Sequence, residues 1–564
     1  MRTPFFSSLF AAPLPRPATA ARSIVVTVIG ALAAVGAGCS RLVPVDLTLA
    51  EPCGQENQAL NGVSSFRIVS SGADTESTAV AFTSDQSEPL PVGLGEKVVV
   101  SVEAYAEDIT AGANPLAPTV LPKSVGRTMP LSIGEKTASV EGVVLVGKTD
   151  SFGAPRSLDG TCPQMTAGAA VVGRHAHTAT YLPGVNKVLL FGGAVWNADG
   201  SESFLKSAEV FDPATGTFTA LPEATNARAY HTATALPDGK VLIVGGFSVI
   251  EGNLAPIRTA LLVDVNAANP YVKPILLRIP RAHHTVTLLP DVGLLAIIGG
   301  CTGFSAADGC APDRASGASA AALTPSIEYL NVDDIGDETL AAAGSLSVGR
   351  AMHTAVAFPS AQTGYVAIAG GVNGTGALNT IEIVKVGGGS FSDGVPTRGA
   401  LPNAMVRHQM VVSATNQIVL TGGQTEAPGG ILSATAPGSA KATVCDLTDG
   451  AGSCDYLAGE MTMTRYGHAM VKLRTGALLV VGGVTPVGLA GGAELFRARP
   501  GSTEPTWAST TGPLAVSRDR AAVALLGGDN AADGFINQIF YSGGFTNDGT
   551  TRTTSALSDI YFGD

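Results

Sequence analysis

Paired glycines recur at 192–193, 245–246, 299–300, 370–371, 422–423, 482–483 and 543–544 of this 564-residue chain. Successive pairs stand 52 to 71 residues apart, close to the period of repeat folds that build each unit from roughly 40 to 50 residues. A short apolar run precedes each pair, as at 188–191, 241–244, 294–298 and 478–481. Such runs, bounded by turn residues, predict strands buried on both faces. We read them as the inner strands of seven equivalent units. Two adjacent glycines let the chain leave each strand at angles or approaches that a Cβ atom would block.

Two further elements keep step with the glycines. Upstream, an arginine and a histidine recur as R-x-x-H: Arg174 with His177, Arg228 with His231, Arg281 with His284, Arg350 with His353, and Arg465 with His468. In the fifth unit Arg407 and His408 stand side by side, out of step, and in the seventh Arg518 is followed by Ala521 at the histidine position. All eight histidines lie within three residues of one of these arginines. Downstream comes an acidic residue beside an apolar one: Glu209 with Phe211, Glu328 with Tyr329, Glu382 with Ile383, Glu494 with Phe496, and Asp559 with Tyr561. Asp212, Pro213 and Gly216 supply a turn into a fourth strand. Each unit is thus expected to be a four-stranded sheet. The chain ends on a third-strand pattern, so the last unit needs an outer strand from elsewhere, and the segment about 165–172 is the expected donor. Closing the ring in this way removes an open sheet edge.

Composition agrees with an all-β chain. There are 69 glycines and 34 prolines, residues that destabilise helix interiors. The formal net charge is −12, which disfavours nucleic acid as a partner. The strand-like segments at 65–69, 97–105 and 138–146 predict a small β-sandwich at 54–150, similar to immunoglobulin-like or fibronectin-like modules.

The N-terminus reads as an address. Arg2, Arg16 and Arg22 precede an apolar run at 24–38, shorter than the roughly 20 residues of a membrane span and suited to a signal peptide. Ala37, Gly38 and Cys39 resemble the end of a bacterial lipobox, although Gly36 stands where that motif usually has Leu. The resemblance implies a signal peptide at 1–38, lipidation of Cys39 and a tether at 39–53. Six cysteines then remain: Cys53, Cys162, Cys301, Cys310, Cys445 and Cys454. Cys301 with Cys310 and Cys445 with Cys454 are each nine apart, and together with Cys53–Cys162 they are candidate disulfides of an oxidising compartment.

The ordered set of R-x-x-H, a Pro237-Asp238-Gly239 type turn, apolar strand, Gly-Gly and acidic-aromatic element resembles the Kelch repeat in its secreted, galactose-oxidase-like form, over about 161–564. That resemblance implies a seven-bladed Kelch-type β-propeller at 151–564. It also implies a ligand face, on which Arg174, Arg228, Arg281, Arg350, Arg407, Arg465 and Arg518 would ring the channel mouth and offer forked donors to carboxylates. Against this stands a plainer reading, in which each arginine bonds carbonyls or the repeated acid of a neighbouring blade and each histidine is a satisfied core group. Tyr230 and His231 resemble the adjacent Tyr and His that galactose oxidase gives to copper. The further ligands of that chemistry have no counterpart here, so no metal or other cofactor is expected. No G-x-S-x-G or H-E-x-x-H occurs, and no catalytic residue is assigned. The expected function is an envelope-anchored module that binds a protein or glycan. The alternatives are a secreted carbohydrate-active enzyme or copper oxidase, and a purely structural envelope protein.

Overall fold

A computed structural model describes residues 24–28 and 45–563 apart from short stretches, the longest being 304–321, 427–437 and 528–536. The chain from 151 onward is a seven-bladed β-propeller. Blade 1 is Thr178–Leu182, Lys187–Phe191, Ala208–Asp212 and Thr217–Ala220, hydrogen-bonded in that order and antiparallel throughout. The same order repeats in six further sheets that open at Thr232, Thr285, Thr354, Gln409, Ala469 and Ala522.

The first strands lie nearest the axis, each against the first strands of both neighbouring blades, and blade 7 meets blade 1. The apolar runs before Gly-Gly are therefore second strands, one step outward from where the sequence reading put them. They are buried along their whole length in Val241–Val244, Leu294–Ile298 and Leu478–Val481, because sheets of adjacent blades cover both faces. The first strands line the channel and are mostly half-buried.

Blade 7 is completed by the N-terminal side of the propeller, but not by the expected segment. Ser151–Gly153 pairs antiparallel with Ser558–Gly563 as the fourth strand. Within 165–172, Thr166–Ala167 instead turns back on Ala170–Val171. The physical reason is anchorage: Asp150 accepts hydrogen bonds from Arg497 and from the Tyr561 hydroxyl (2.7 Å), and its N–H bonds the Phe562 carbonyl. These contacts hold the chain beside blade 7 before residue 165 is reached.

Ahead of the propeller, strands at Val45–Ala50, Ser65–Gly72, Thr75–Thr83, Gly95–Tyr105, Ser124–Arg127 and Val140–Lys148 form one connected pairing path over a core of Leu49, Phe66, Ile68, Phe82, Val102 and Val146. Val140–Lys148 changes partner along its length, pairing parallel with Val45–Ala50 through Leu145 and antiparallel with residues 124–126 from Val146 onward. Ile24–Val28, in the apolar run read as a leader, pairs with Val45–Ala50 at the edge of this sheet; Cys39 lies outside the described residues. No helix among the described residues is long and apolar enough to cross a membrane. Val125, Met129 and Leu145 share a core with Tyr181, Leu190, Phe540 and Phe562 of blades 1 and 7, and Asn186, in the turn between the first two strands of blade 1, donates to the Pro130 carbonyl (2.8 Å). This sheet thus abuts the propeller end opposite the Gly-Gly pairs.

Disulfides join Cys53 to Cys162 and Cys445 to Cys454. Cys301 is also disulfide-bonded, while Cys310 lies outside the described residues.

Candidate functional site

The repeat motif meets itself at every seam between blades. The second glycine of each pair donates its N–H to the carbonyl of the residue that opens the next blade. Gly193 bonds Arg228, Gly246 bonds Arg281, Gly300 bonds Arg350, Gly371 bonds Met405, Gly423 bonds Arg465, Gly483 bonds Arg518, and Gly544 closes the ring on Arg174. Every glycine of the seven pairs has positive φ. At Gly192 a Cβ would also collide with the Arg228 carbonyl and the His231 ring.

Six of the eight histidines span the same seam with their Nε2. His231, His284, His353 and His408 bond the hydroxyls of Thr178, Thr232, Thr285 and Thr354 on the preceding blade, at 2.7 to 3.2 Å. Where the preceding blade has Gln409 or Ala522 at that position, the hydroxyl comes from the directly opposed residue, Thr421 for His468 and Ser542 for His177. Blade 6 has Ala469 opposite Val481 and no such hydroxyl, and blade 7 has Ala521 in place of the histidine; there the Tyr541 hydroxyl bonds the Arg518 carbonyl. Hydroxyl and histidine are thus lost together, which marks the pair as a seam bond. Burial pushes His231 and His408 down to about 3 and His177, His284, His353 and His468 well below the usual range, with the adjacent arginine adding to the shift in five of the six. All six are neutral at pH 7.

The arginines are consumed in the same way. Arg174, Arg281, Arg350, Arg465 and Arg518 are at most 2% exposed. They pair with Glu209, Glu328, Glu382, Glu494 and Asp559 of their own blades and also donate to backbone carbonyls. The repeated acid of the sequence is the partner of the repeated arginine, and these five heads lie out of reach of a ligand. Arg407 is not their equivalent. Met405 carries the seam carbonyl in blade 5, which puts His408 in step and Arg407 one position before it. Arg228 is 2% exposed and bonds Gly245 O, Thr259 O and Thr259 Oγ1, without a carboxylate partner among the described residues.

What reaches the channel mouth is the residue just before each histidine position: Ala176, Tyr230, His283, Met352, Arg407, Gly467 and Arg520. All seven have φ between 50° and 63°, and all are half-buried. Backbone hydrogen bonds link them in two arcs: Tyr230 N–H bonds Ala176 O, His283 bonds Tyr230 and Met352 bonds His283 in one, and Gly467 bonds Arg407 and Arg520 bonds Gly467 in the other. Left-handed backbone costs a non-glycine residue about 1 kcal/mol or more. Glycine would remove that cost, yet five of the seven positions carry long functional side chains.

On the side of blades 7 to 3 the ring is aromatic. Glu202 lies 3.1 Å from the Tyr230 hydroxyl and 3.2 Å from His175 Nε2, His175 stacks on Phe545, and Tyr230 packs edgewise on Phe247 and against His283. Two arginines flank the aromatic side: Arg407 of blade 5 reaches Gln424, and Arg520 of blade 7 lies 3.5 Å from Asp519 with its guanidinium 5.3 Å from the centre of the Phe545 ring. Tyr230 and His231, the residues compared with a copper pair, diverge: Tyr230 faces the mouth and His231 is buried in the seam. Among the described residues no group of three His, Cys, Asp or Glu side chains is placed to hold a metal ion. Sequence reasoning expected Arg407 at the mouth and singled out Tyr230 by resemblance, yet missed the ring as a whole, because nothing in Ala, Tyr, His, Met or Arg announces a left-handed backbone and only Gly467 carries that signal.

No family model matches the chain, and no curated protein matches it. Among solved structures it is similar to a protein named YjhT, with TM-score 0.44 and 14% identity over 60% of this chain and 98% of that one. It is also similar to a fungal alcohol oxidase of the AA5 family in complex with copper, with TM-score 0.48 and 16% identity over 71% of this chain and 75% of that one.

Proposed function

We propose that this chain is an exported, envelope-tethered Kelch-type propeller that binds a protein or glycan partner at the channel mouth through Tyr230, His283, Met352, Arg407 and Arg520. One observation carries the reading: these side chains sit on a ring where the backbone favours glycine. A stability cost retained at five equivalent positions is explained by contact with something outside the chain. Aromatic rings flanked by the guanidinium groups of Arg520 and Arg407 suit a ligand with a flat apolar surface and polar or acidic substituents. The N-terminal sheet abuts the opposite end of the propeller, so a tether at Cys39 would leave this mouth directed away from the anchor. The disulfides support export.

The test is a glycan array together with a pull-down from envelope extracts, using the purified propeller. Wild type is expected to enrich a partner that the Tyr230→Ala/Arg407→Ala/Arg520→Ala variant loses by at least tenfold. Enrichment untouched by the triple change, or none in either assay, contradicts the reading. For the tether, Cys39→Ala is expected to move the protein from the membrane to the soluble fraction.

A further inference from the structure

Blade 2 keeps the frame of a carboxylate site and lacks the carboxylate. In blades 3, 4 and 6 the glutamate beside the arginine also accepts the backbone N–H three residues before that arginine. Glu328 takes Arg278 N–H (2.8 Å) and Ile279 N–H (3.2 Å), Glu382 takes Ser347 N–H (2.7 Å), and Glu494 takes Thr462 N–H (2.5 Å). A guanidinium and one or two N–H groups therefore converge on each carboxylate. In blade 2 the glutamate position is Leu261, which pairs with Ile243 as Glu209 pairs with Leu190. The donors are still there. Arg228 bonds the same first-glycine carbonyl as its counterparts. The segment before it runs in the same frame, with Ala224 N–H on Lys206 O and Arg228 N–H on Leu205 O, as Leu277 and Arg281 bond Arg258 O and Ile257 O in blade 3. The N–H groups of Thr225 and Asn226, at the positions of Arg278 and Ile279, have no hydrogen-bond partner among the described residues.

Blade 5 shows what dismantling this arrangement looks like. There the arginine is Met405, the acid position is Thr443, opposite Leu420, and the N–H three residues before Met405 is gone because that residue is Pro402. All three parts go together. Blade 2 loses only the built-in anion, and Leu261 is 8% exposed where Glu209, Glu328, Glu382 and Glu494 are at most 1%. A buried guanidinium without a counter-charge is unfavourable, and burial without an offsetting carboxylate pushes Arg228 down to about 10.

We propose that blade 2 takes a carboxylate from outside the chain, bound between the Arg228 guanidinium and the N–H groups of Thr225 and Asn226. The ligand is a monocarboxylate, supplied either as a small free acid or as an acidic side chain of a partner. This site is separate from the channel-mouth ring, and either can fail without the other.

The test follows thermal unfolding of the full chain in sodium formate or acetate against sodium chloride, at constant ionic strength, with an Asp-containing peptide as a further arm. Wild type is expected to gain several degrees in Tm with half-saturation in the millimolar range. Leu261→Glu, which supplies the carboxylate internally, is expected to start higher and lose the response, while Leu261→Gln keeps it. Line broadening of ¹³C-formate by wild-type protein reads the same site without any substitution. A response to the free acids identifies a small-molecule site, and a response to the peptide alone identifies a partner's side chain. An equal response to chloride, a response that Leu261→Glu leaves intact, or no response and no broadening in any arm overturns the proposal.

Discussion

Blades 4 and 5 are neighbours with the same strand order and opposite internal chemistry. Blade 4 is held by Arg350 and Glu382, both 0% exposed, with the glutamate also capping Ser347 N–H. Blade 5 has Met405 and Thr443 at those positions, 3% and 1% exposed. Met405 packs with Ala369, Ile383, Leu401, Met410 and Leu420, and strands three and four are crosslinked by Cys445–Cys454, a directly opposed pair. A complete buried ion pair and an apolar replacement with a covalent staple are thus equivalent solutions to one packing problem, as expected where desolvation offsets much of the Coulomb attraction. The half-solution of blade 2 is the exception. Both blades share the seam histidine, His353 and His408.

That shared element gives the largest expected effect. The six seam histidines have folded pKa values below the ordinary ~6.5 of an unfolded chain. Their stability is therefore fully present above pH ~6.5 and is lost as pH falls from there toward the depressed folded values, about 3 for His231 and His408, at about 1.4 kcal/mol per pH unit per histidine. Urea titrations between pH 7 and 5 should show proton uptake on unfolding approaching six, with His353→Asn and His408→Asn each removing close to one. Equal reductions keep the blades alike at the seam.

The next effect separates them. Glu382→Leu leaves Arg350 buried without its counter-charge and should cost about 3–5 kcal/mol in urea unfolding. Thr443→Leu in blade 5, which strands no charge, should change stability by less than about 1.5 kcal/mol. Removing the staple reverses the roles: Cys445→Ala/Cys454→Ala should cost about 2–3 kcal/mol. The accompanying rise in amide hydrogen exchange should be confined to Ser439–Asp446 and Ser453–Arg465 in blade 5. Reductant should leave blade 4 exchange unchanged. The smallest effect lies on the ring, where Arg407→Gly relieves left-handed backbone and should raise stability by about 1 kcal/mol while weakening partner capture.

Much of this organisation is legible in the residues, and the illegible parts share one cause. The Gly-Gly spacing yields seven blades because the seam requires positive φ twice in succession and only glycine meets it without strain. Arg174 and Glu209 both stand out as repeated residues, yet their pairing depends on strand register, which spacing alone does not disclose. Arg407 misleads because residue type matches where position does not; the structure-defining position is Met405, which carries no signal. The closing strand Ser151–Gly153 has three residues, too few for periodicity, and the tie that fixes it runs from Asp150 to Arg497 and Tyr561, far along the chain. The ring is invisible because backbone handedness at a non-glycine residue leaves no trace in composition.

A double-mutant cycle over Arg350 and Glu382, followed by urea unfolding, tests most directly whether the repeated arginines hold blades rather than ligands. Each single change, Arg350→Met or Glu382→Thr, should be strongly destabilising, and the double change that copies blade 5 should recover most of the loss, leaving partner binding at the mouth intact. Mild, additive single effects, or loss of binding in a double variant of unchanged stability, would contradict the account.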